Sequence, residues 1–316
     1  MIKTILATAA TAALLAFSSA TPGFADGHKK LTVTLLGTGT PFPSSERFGP
    51  GILIEAGDKK LLFDVGRGVT QRLFQKKIPL GKIDHVFLTH LHSDHVVGIP
   101  DLWLSGWLGA PWARRKGPFT ITGPEGTVNL MTNLERAYEW DIKTRIADQK
   151  LNPAFVKPAP TDMNEGVVYE QHGIRVTAIK VNHGKKIDPA FGYRIDYDGR
   201  TVVLSGDTKY SSNLVKGAKG ADLMIHSVAS IAKKLLKKSK VMRAILTHHS
   251  EPEDTAKVFN AVKPKLAVYS HLVLYGGQKP KDILNRARKT YAGPLLVGFD
   301  LMTINVGADK VSVVKK

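Results

Sequence analysis

The chain of 316 residues contains no cysteine. That absence removes disulfides, thiolate ligands and thiol nucleophiles together. Any metal site then has only His and carboxylate side chains to draw on, and stability must come from an apolar core, helped by bound metal. Long apolar runs are also missing. A membrane span needs about 20 apolar residues; residues 5–17 fall short of that and no later segment comes as close, so no stable membrane insertion is expected. Acidic residues are scarce, with 27 Asp and Glu against 45 Lys and Arg, for a formal charge of +18.

A balance this basic favours anionic partners: nucleic acid, phosphate or sulfate esters, or a negatively charged envelope surface. Part of it has a plainer reading. In residues 231–243, Lys233, Lys234, Lys237 and Lys238 fall at helical spacing on one face, with Leu235, Leu236 and Val241 between them, as in a solvated amphipathic helix. No basic motif with interleaved aromatics accompanies them, so specific nucleic-acid binding is not expected.

Residues 1–25 differ from the rest. Lys3 precedes an apolar, alanine-rich stretch, and Gly23 and Ala25 put small residues at both cleavage-site positions. They read as a signal peptide cleaved after Ala25, with Ala20 as the fallback, which places the mature chain in the periplasm or outside the cell with a charge of +17. Residues 26–316, in a chain that is 43% apolar, can bury a large core, and no repeat or interdomain linker divides them.

Apolar alternation predicts a strand at 31–36, a hairpin of 52–56 and 60–63 around Gly57-Asp58, a helix over Val69–Gln75 and a buried strand at 85–89. A helical stretch follows at 96–108 and another at 129–138. Short strands follow at 167–169, 174–181, 192–197 and 201–204, then at 223–225, 244–246, 266–269, 295–297 and 302–306, with helical segments between the later ones. Sheets covered by helices, an α/β sandwich, suit this order.

The densest chemistry is Thr89-His90-Leu91-His92-Ser93-Asp94-His95, after the apolar strand. Buried His and Asp each demand a partner, so four ligand-type side chains in six positions point to metal. One loop cannot fill two coordination spheres. His183, Asp207 and His271 each follow a predicted strand, the position where ligands meet on such sheets.

His90-x-His92-x-Asp94-His95, followed by His183, Asp207 and His271, resembles the metal signature of the metallo-β-lactamase-fold hydrolases. Leu36-Gly37-Thr38-Gly39, Phe63-Asp64-Val65-Gly66, Phe191-Gly192-Tyr193-Arg194, Ser205-Gly206-Asp207-Thr208 and Phe299-Asp300-Leu301 make it most similar to the branch containing ribonuclease Z and bacterial arylsulfatases. The resemblance implies a four-layer αβ/βα sandwich with His90, His92 and His183 on one ion, Asp94, His95 and His271 on a second, and Asp207 bridging. Two divalent ions are implied, with Zn2+ expected and Mn2+ or Fe compatible with the donors. Such a pair lowers the pKa of a shared water toward neutrality. Asp64 is expected either to orient the ligand loop or to cap a turn.

Asp94 and His249 are the candidate catalytic residues, Asp94 doubling as a ligand and His249 as proton donor, held by a capping box over Ser250-Glu251-Pro252-Glu253. Two departures separate the chain from ribonuclease Z. Ser227 stands where that family has Glu after the equivalent of His226, and only a tight Asp198-Gly199 hairpin occupies the place of its tRNA-gripping arm. Trp103, Trp107 and Trp112 offer either apolar walls or core packing. The expectation is an exported hydrolase of small anionic esters, phosphodiesters or aryl sulfates, with a homodimer left open. The alternatives are lactone or β-lactam hydrolysis on the same centre and a metal-binding protein without turnover.

Overall fold

The computed structural model describes residues 29–314, and the signal-peptide reading of residues 1–25 lies outside the described residues. In chain order the strands are β1 (Leu31–Gly37), β2 (Gly51–Ala56), β3 (Lys59–Phe63), β4 (His85–Phe87), β5 (Phe119–Gly123), β6 (Pro158–Asp162), β7 (Gly166–Gln171), β8 (Ile174–Lys180), β9 (Phe191–Tyr197), β10 (Arg200–Leu204), β11 (Leu223–Ile231), β12 (Leu266–Tyr275), β13 (Leu295–Val297), β14 (Thr303–Val306) and β15 (Val311–Val313). They form two sheets, ordered β15-β14-β1-β2-β3-β4-β5-β6 and β13-β12-β11-β10-β9-β8-β7.

Alternation along each strand decides which layer a side chain enters. Leu31, Val33, Leu35 and Phe63 point between the sheets, where they meet Val176, Ile195, Leu204 and Val268. Phe63 stacks on Phe87 at 5.0 Å between ring centres and meets the edge of Tyr193 at 5.1 Å. The intervening Leu36, Leu53 and Leu62 face outward, under α1 (Val69–Gln75) and α3 (Ile99–Trp107). On the second sheet Val203, Met224, Ala267 and Tyr269 face outward, toward Phe259 of α9 (Pro252–Val262) and Ile283 of α10 (Pro280–Ala287). Strands buried on both faces read as continuous apolar runs. The result is the expected four-layer sandwich.

Several local expectations are corrected. Residues 244–246 are the end of helix α8 (Lys240–Leu246), not a strand. The basic run is two helices, α7 (Lys233–Lys238) and α8, because Ser239 breaks off the first and its Oγ accepts the Met242 N–H at 3.2 Å to cap the second. β5, β6 and β15 are additional. β6 carries Pro158 and Pro160, and as an edge strand it tolerates the missing donors. No capping box opens α9: the Ser250 hydroxyl donates to the Thr208 carbonyl at 2.9 Å, while Glu253 pairs with Arg286 at 2.6 Å. Pro252 starts that helix, where its missing N–H costs nothing. Trp103 and Trp107 are core residues, their indole N–H groups donating to the Val156 and Asn152 carbonyls. The β9–β10 connection is the expected two-residue turn, with Asp198 and Gly199 both at positive φ.

Candidate metal centre

Strands β3, β4, β8, β10 and β12 deliver the chemistry at one edge of the sandwich. His90 and His92 follow β4, and Asp94 and His95 occupy the single turn of α2 (Ser93–Val96). His183 follows β8, and Asp207 follows β10. Gly206 lets that loop close in: at φ +58°, an added Cβ would stand 2.4 Å from the Phe191 carbonyl oxygen. His271 departs from its expected place after a strand. It lies inside β12 as the extra residue of a bulge, since Ser227 pairs with Ser270 and Val228 with Leu272. The bulge, with φ +45° at His271, aims the imidazole into the centre.

The seven side chains converge as two sets joined by a carboxylate. His90, His92 and His183 form one group able to hold an ion, and Asp94, His95 and His271 form another. Asp207 belongs to both sides, grouping with His90 and His95 and also with His183 and His249. Its Oδ2 stands 3.5 Å from His95 Nε2 and 3.3 Å from His271 Nε2. All but His92 are buried.

The donor set fits divalent metal. His92 Nδ1 lies 2.9 Å from His90 Nε2 and 3.3 Å from His183 Nε2, so three imidazole nitrogens meet with too few protons to pair them. His95 Nε2 is buried and makes no hydrogen bond. Nitrogen and carboxylate donors of this kind suit zinc, and also manganese or iron.

Supporting bonds turn the rings inward. Asp64 accepts the Thr89 N–H at 2.8 Å and the Thr89 hydroxyl at 2.9 Å, and its Oδ2 lies 2.8 Å from His95 Nδ1. His90 Nδ1 is 3.0 Å from that same hydroxyl, and His183 Nδ1 is 2.9 Å from the His248 carbonyl. Nδ1–H in each of the three leaves Nε2 free for metal. Asp64 therefore fixes the His95 ring directly and the Thr89 hydroxyl beside His90, and its φ of +61° is strain of the kind concentrated at functional sites. Thr89, which links Asp64 to both histidines, had no signature in the sequence beyond its place before His90.

Burial and neighbouring imidazoles push His90 well below the ordinary histidine range, and burial takes His183 down to about 4. Both are neutral at pH 7, the form that ligates. Burial works against the Asp207 carboxylate, but His271 and His95 outweigh it and hold the group well below its usual range. For His95, burial is in turn outweighed by Asp64 and Asp207, which raise it. His249 is buried, with Nδ1 3.9 Å from Asp207 Oδ2, and burial takes its pKa down to about 3. It stands against the ligand cluster, as a proton donor there must. His248 lies further out, its ring 5.0 Å from that of His249. Behind the Asp207 loop, Ser227 and His226 are buried, and His226 Nδ1 is 2.7 Å from the Ser227 carbonyl.

Known proteins resemble this chain. The family described as beta-lactamase superfamily domain matches residues 59–272. A protein named ribonuclease Z from Mycobacterium bovis (strain BCG / Pasteur 1173P2) is 32% identical over 282 residues, which are 87% of this chain and 98% of that one. Among solved structures, the metallo-β-lactamase fold protein YhfI from Bacillus subtilis superposes with a TM-score of 0.69 at 19% identity, covering 88% of this chain and 100% of its own. The short form of human tRNase Z gives 0.65 at 23% identity, covering 87% and 99%. By its sequence relatives and its matching domain, the chain belongs to the metallo-β-lactamase superfamily, in the ribonuclease Z branch.

Proposed function

We propose that the protein is a phosphodiesterase that cuts RNA with two divalent metal ions, zinc being the expected metal. The observation that carries this reading is the convergence of two donor sets on the shared carboxylate of Asp207. Ions held there would polarise the phosphoryl oxygen and make a water acidic enough to attack near neutral pH. The protein's own groups do the rest. Asp64 and Thr89 fix the ligand rings, Asp207 keeps the two sites together, and His249 stands beside them to hold a proton for the leaving oxygen. A phosphodiester seated next to His249 brings negative charge, which favours the protonated imidazole that burial and the neighbouring His271 and His183 oppose.

RNA as substrate follows the ribonuclease Z relatives and replaces the expectation that nucleic acid is not a partner. The aryl sulfate alternative has no counterpart among the relatives named above. Protein purified without chelator should contain close to two equivalents of metal by elemental analysis and should hydrolyse bis(4-nitrophenyl) phosphate. One equivalent or none, even after zinc or manganese is added back, sinks the two-ion reading.

We also propose that residues 1–25 are removed on export. Intact mass of protein recovered from the periplasm of an expressing bacterium should correspond to a chain starting at Asp26. Full-length protein retained in the cytoplasm would overturn this.

A further inference from the structure

The pair α7 and α8 takes no part in the chemistry above. From 232 to 247 the chain carries Lys233, Lys234, Lys237, Lys238, Lys240 and Arg243 and no acidic residue. Neither helix buries a residue. Arg243 is used internally, donating to the Leu236 and Lys237 carbonyls at the end of α7. Among the described residues no carboxylate forms an ion pair with any of the five lysines. A concentration of like charge with no partner repels itself, and a bound anion would relieve that repulsion.

The topology puts this ridge just past the ends of two strands that lead from the metal centre. β11 and β12 are parallel and end together at Ile231 and Tyr275, beyond His271 on the side where the ligands gather. α7 follows at once. At the other end, α8 leads through Thr247 to His248, whose carbonyl holds His183. Exposed Lys185 and Lys186 follow His183, and exposed Lys209 lies close enough for its charge to act on His248. The basic strip thus borders the centre on the side of the first donor set.

None of the ridge lysines is among the residues grouped at the metal centre, so the substrate they would serve is one that continues past the reacting bond. A membrane surface fits less well. Leu235 turns inward against Gly276, the ridge has no aromatic residue, and Val241, 65% exposed, is its one openly exposed large apolar side chain. The two-residue β9–β10 turn leaves no arm there to hold RNA. We propose that the α7–α8 ridge, with Lys185, Lys186 and Lys209, grips the phosphate backbone of single-stranded RNA while one of its phosphodiesters lies at the metal centre. The proposal rests on the phosphodiesterase reading for the chemistry, but the grip is measured separately.

The test is the fourfold variant K233E/K234E/K237E/K238E in the metal-loaded protein. Anisotropy of a fluorescein-labelled 20-nucleotide RNA, with its integrity checked on a gel, should show affinity lowered by about tenfold or more near 0.1 M salt. The slope of log affinity against log salt should shrink by about 3, at roughly 0.7 for each lost phosphate contact. Turnover of bis(4-nitrophenyl) phosphate should stay within twofold, since none of the ridge lysines is among the residues grouped at the metal centre. If the charge-reversed protein also loses turnover of the small diester, the corresponding fourfold Lys→Gln variant decides, with a smaller loss in the same direction expected. Unchanged RNA affinity and salt slope would overturn the proposal. So would wild-type protein that binds phosphatidylglycerol vesicles but not RNA. Wild-type protein that binds RNA through the ridge yet hydrolyses neither substrate would defeat the phosphodiesterase reading and leave the ridge standing.

Discussion

Asp207→Ala should hold one metal ion where the proposed centre of the parent takes two, and its turnover of a phosphodiester should fall to the background of the assay. The carboxylate sits among His90, His95, His183, His249 and His271, with oxygen-to-nitrogen distances of 3.3 Å to His271 and 3.5 Å to His95. Two divalent ions held at such a site would repel each other, and the negative charge of the Asp207 carboxylate would offset that repulsion. Removing one member of a buried charged cluster costs roughly 3–5 kcal/mol, which corresponds to about 10²- to 10⁴-fold in affinity for the second ion. Asp207→Asn keeps the shape and removes only the charge, so it should show the same loss of metal with less disturbance of the Gly206 turn. Metal titration followed by calorimetry, with turnover measured on the same samples, checks both variants. Two ions retained at parental affinity, with full activity, would mean that another carboxylate is the bridge.

The ligand loop was legible because its residues are improbable in any other setting: four metal-binding side chains within six positions, straight after a buried strand. The layer order was legible for a related reason, since strands buried on both faces carry apolar runs whose length and spacing survive in the sequence. Most of what could not be read depends on neighbours distant in the chain, though one case is local. The apolar word Ala244-Ile245-Leu246 fits a strand or a helix equally, and only Ser239 capping the preceding turn makes it helical. The pattern 266–269 suggested a short strand with His271 beyond it, whereas pairing with β11 carries β12 on to Tyr275 and turns the histidine inward through a bulge. A bulge is a mismatch between two strands, so one strand's sequence does not contain it. Likewise Ser250 and Glu253 have the spacing of a capping box, yet the Thr208 carbonyl and Arg286 are better partners.

His249→Ala should keep both metal ions and the fold while kcat falls by about 10²–10⁴-fold, the usual worth of a positioned proton donor. The structure sharpens this test, because His249 groups with His183 and Asp207 closely enough to serve as a ligand itself. The two donor sets and Asp207 already supply seven ligand side chains without it, which favours the proton-donor role. Its loop does not depend on the imidazole: the Ser250 hydroxyl donates to the Thr208 carbonyl at 2.9 Å, and the Ser250 carbonyl accepts the Ala229 N–H at 2.8 Å. The variant should therefore fold, with metal content and thermal unfolding close to the parent. The loss of rate should depend on the leaving group. Nitrophenolate departs without a proton, so bis(4-nitrophenyl) phosphate should suffer least; an RNA phosphodiester, whose alkoxide needs protonation, should suffer most. Loss of metal in His249→Ala would make the residue a ligand. Equal losses for both leaving groups would reduce it to a residue that positions the substrate, and the proton would have to come from elsewhere in the cleft, with the more exposed His248 ring 5.0 Å away the next to replace.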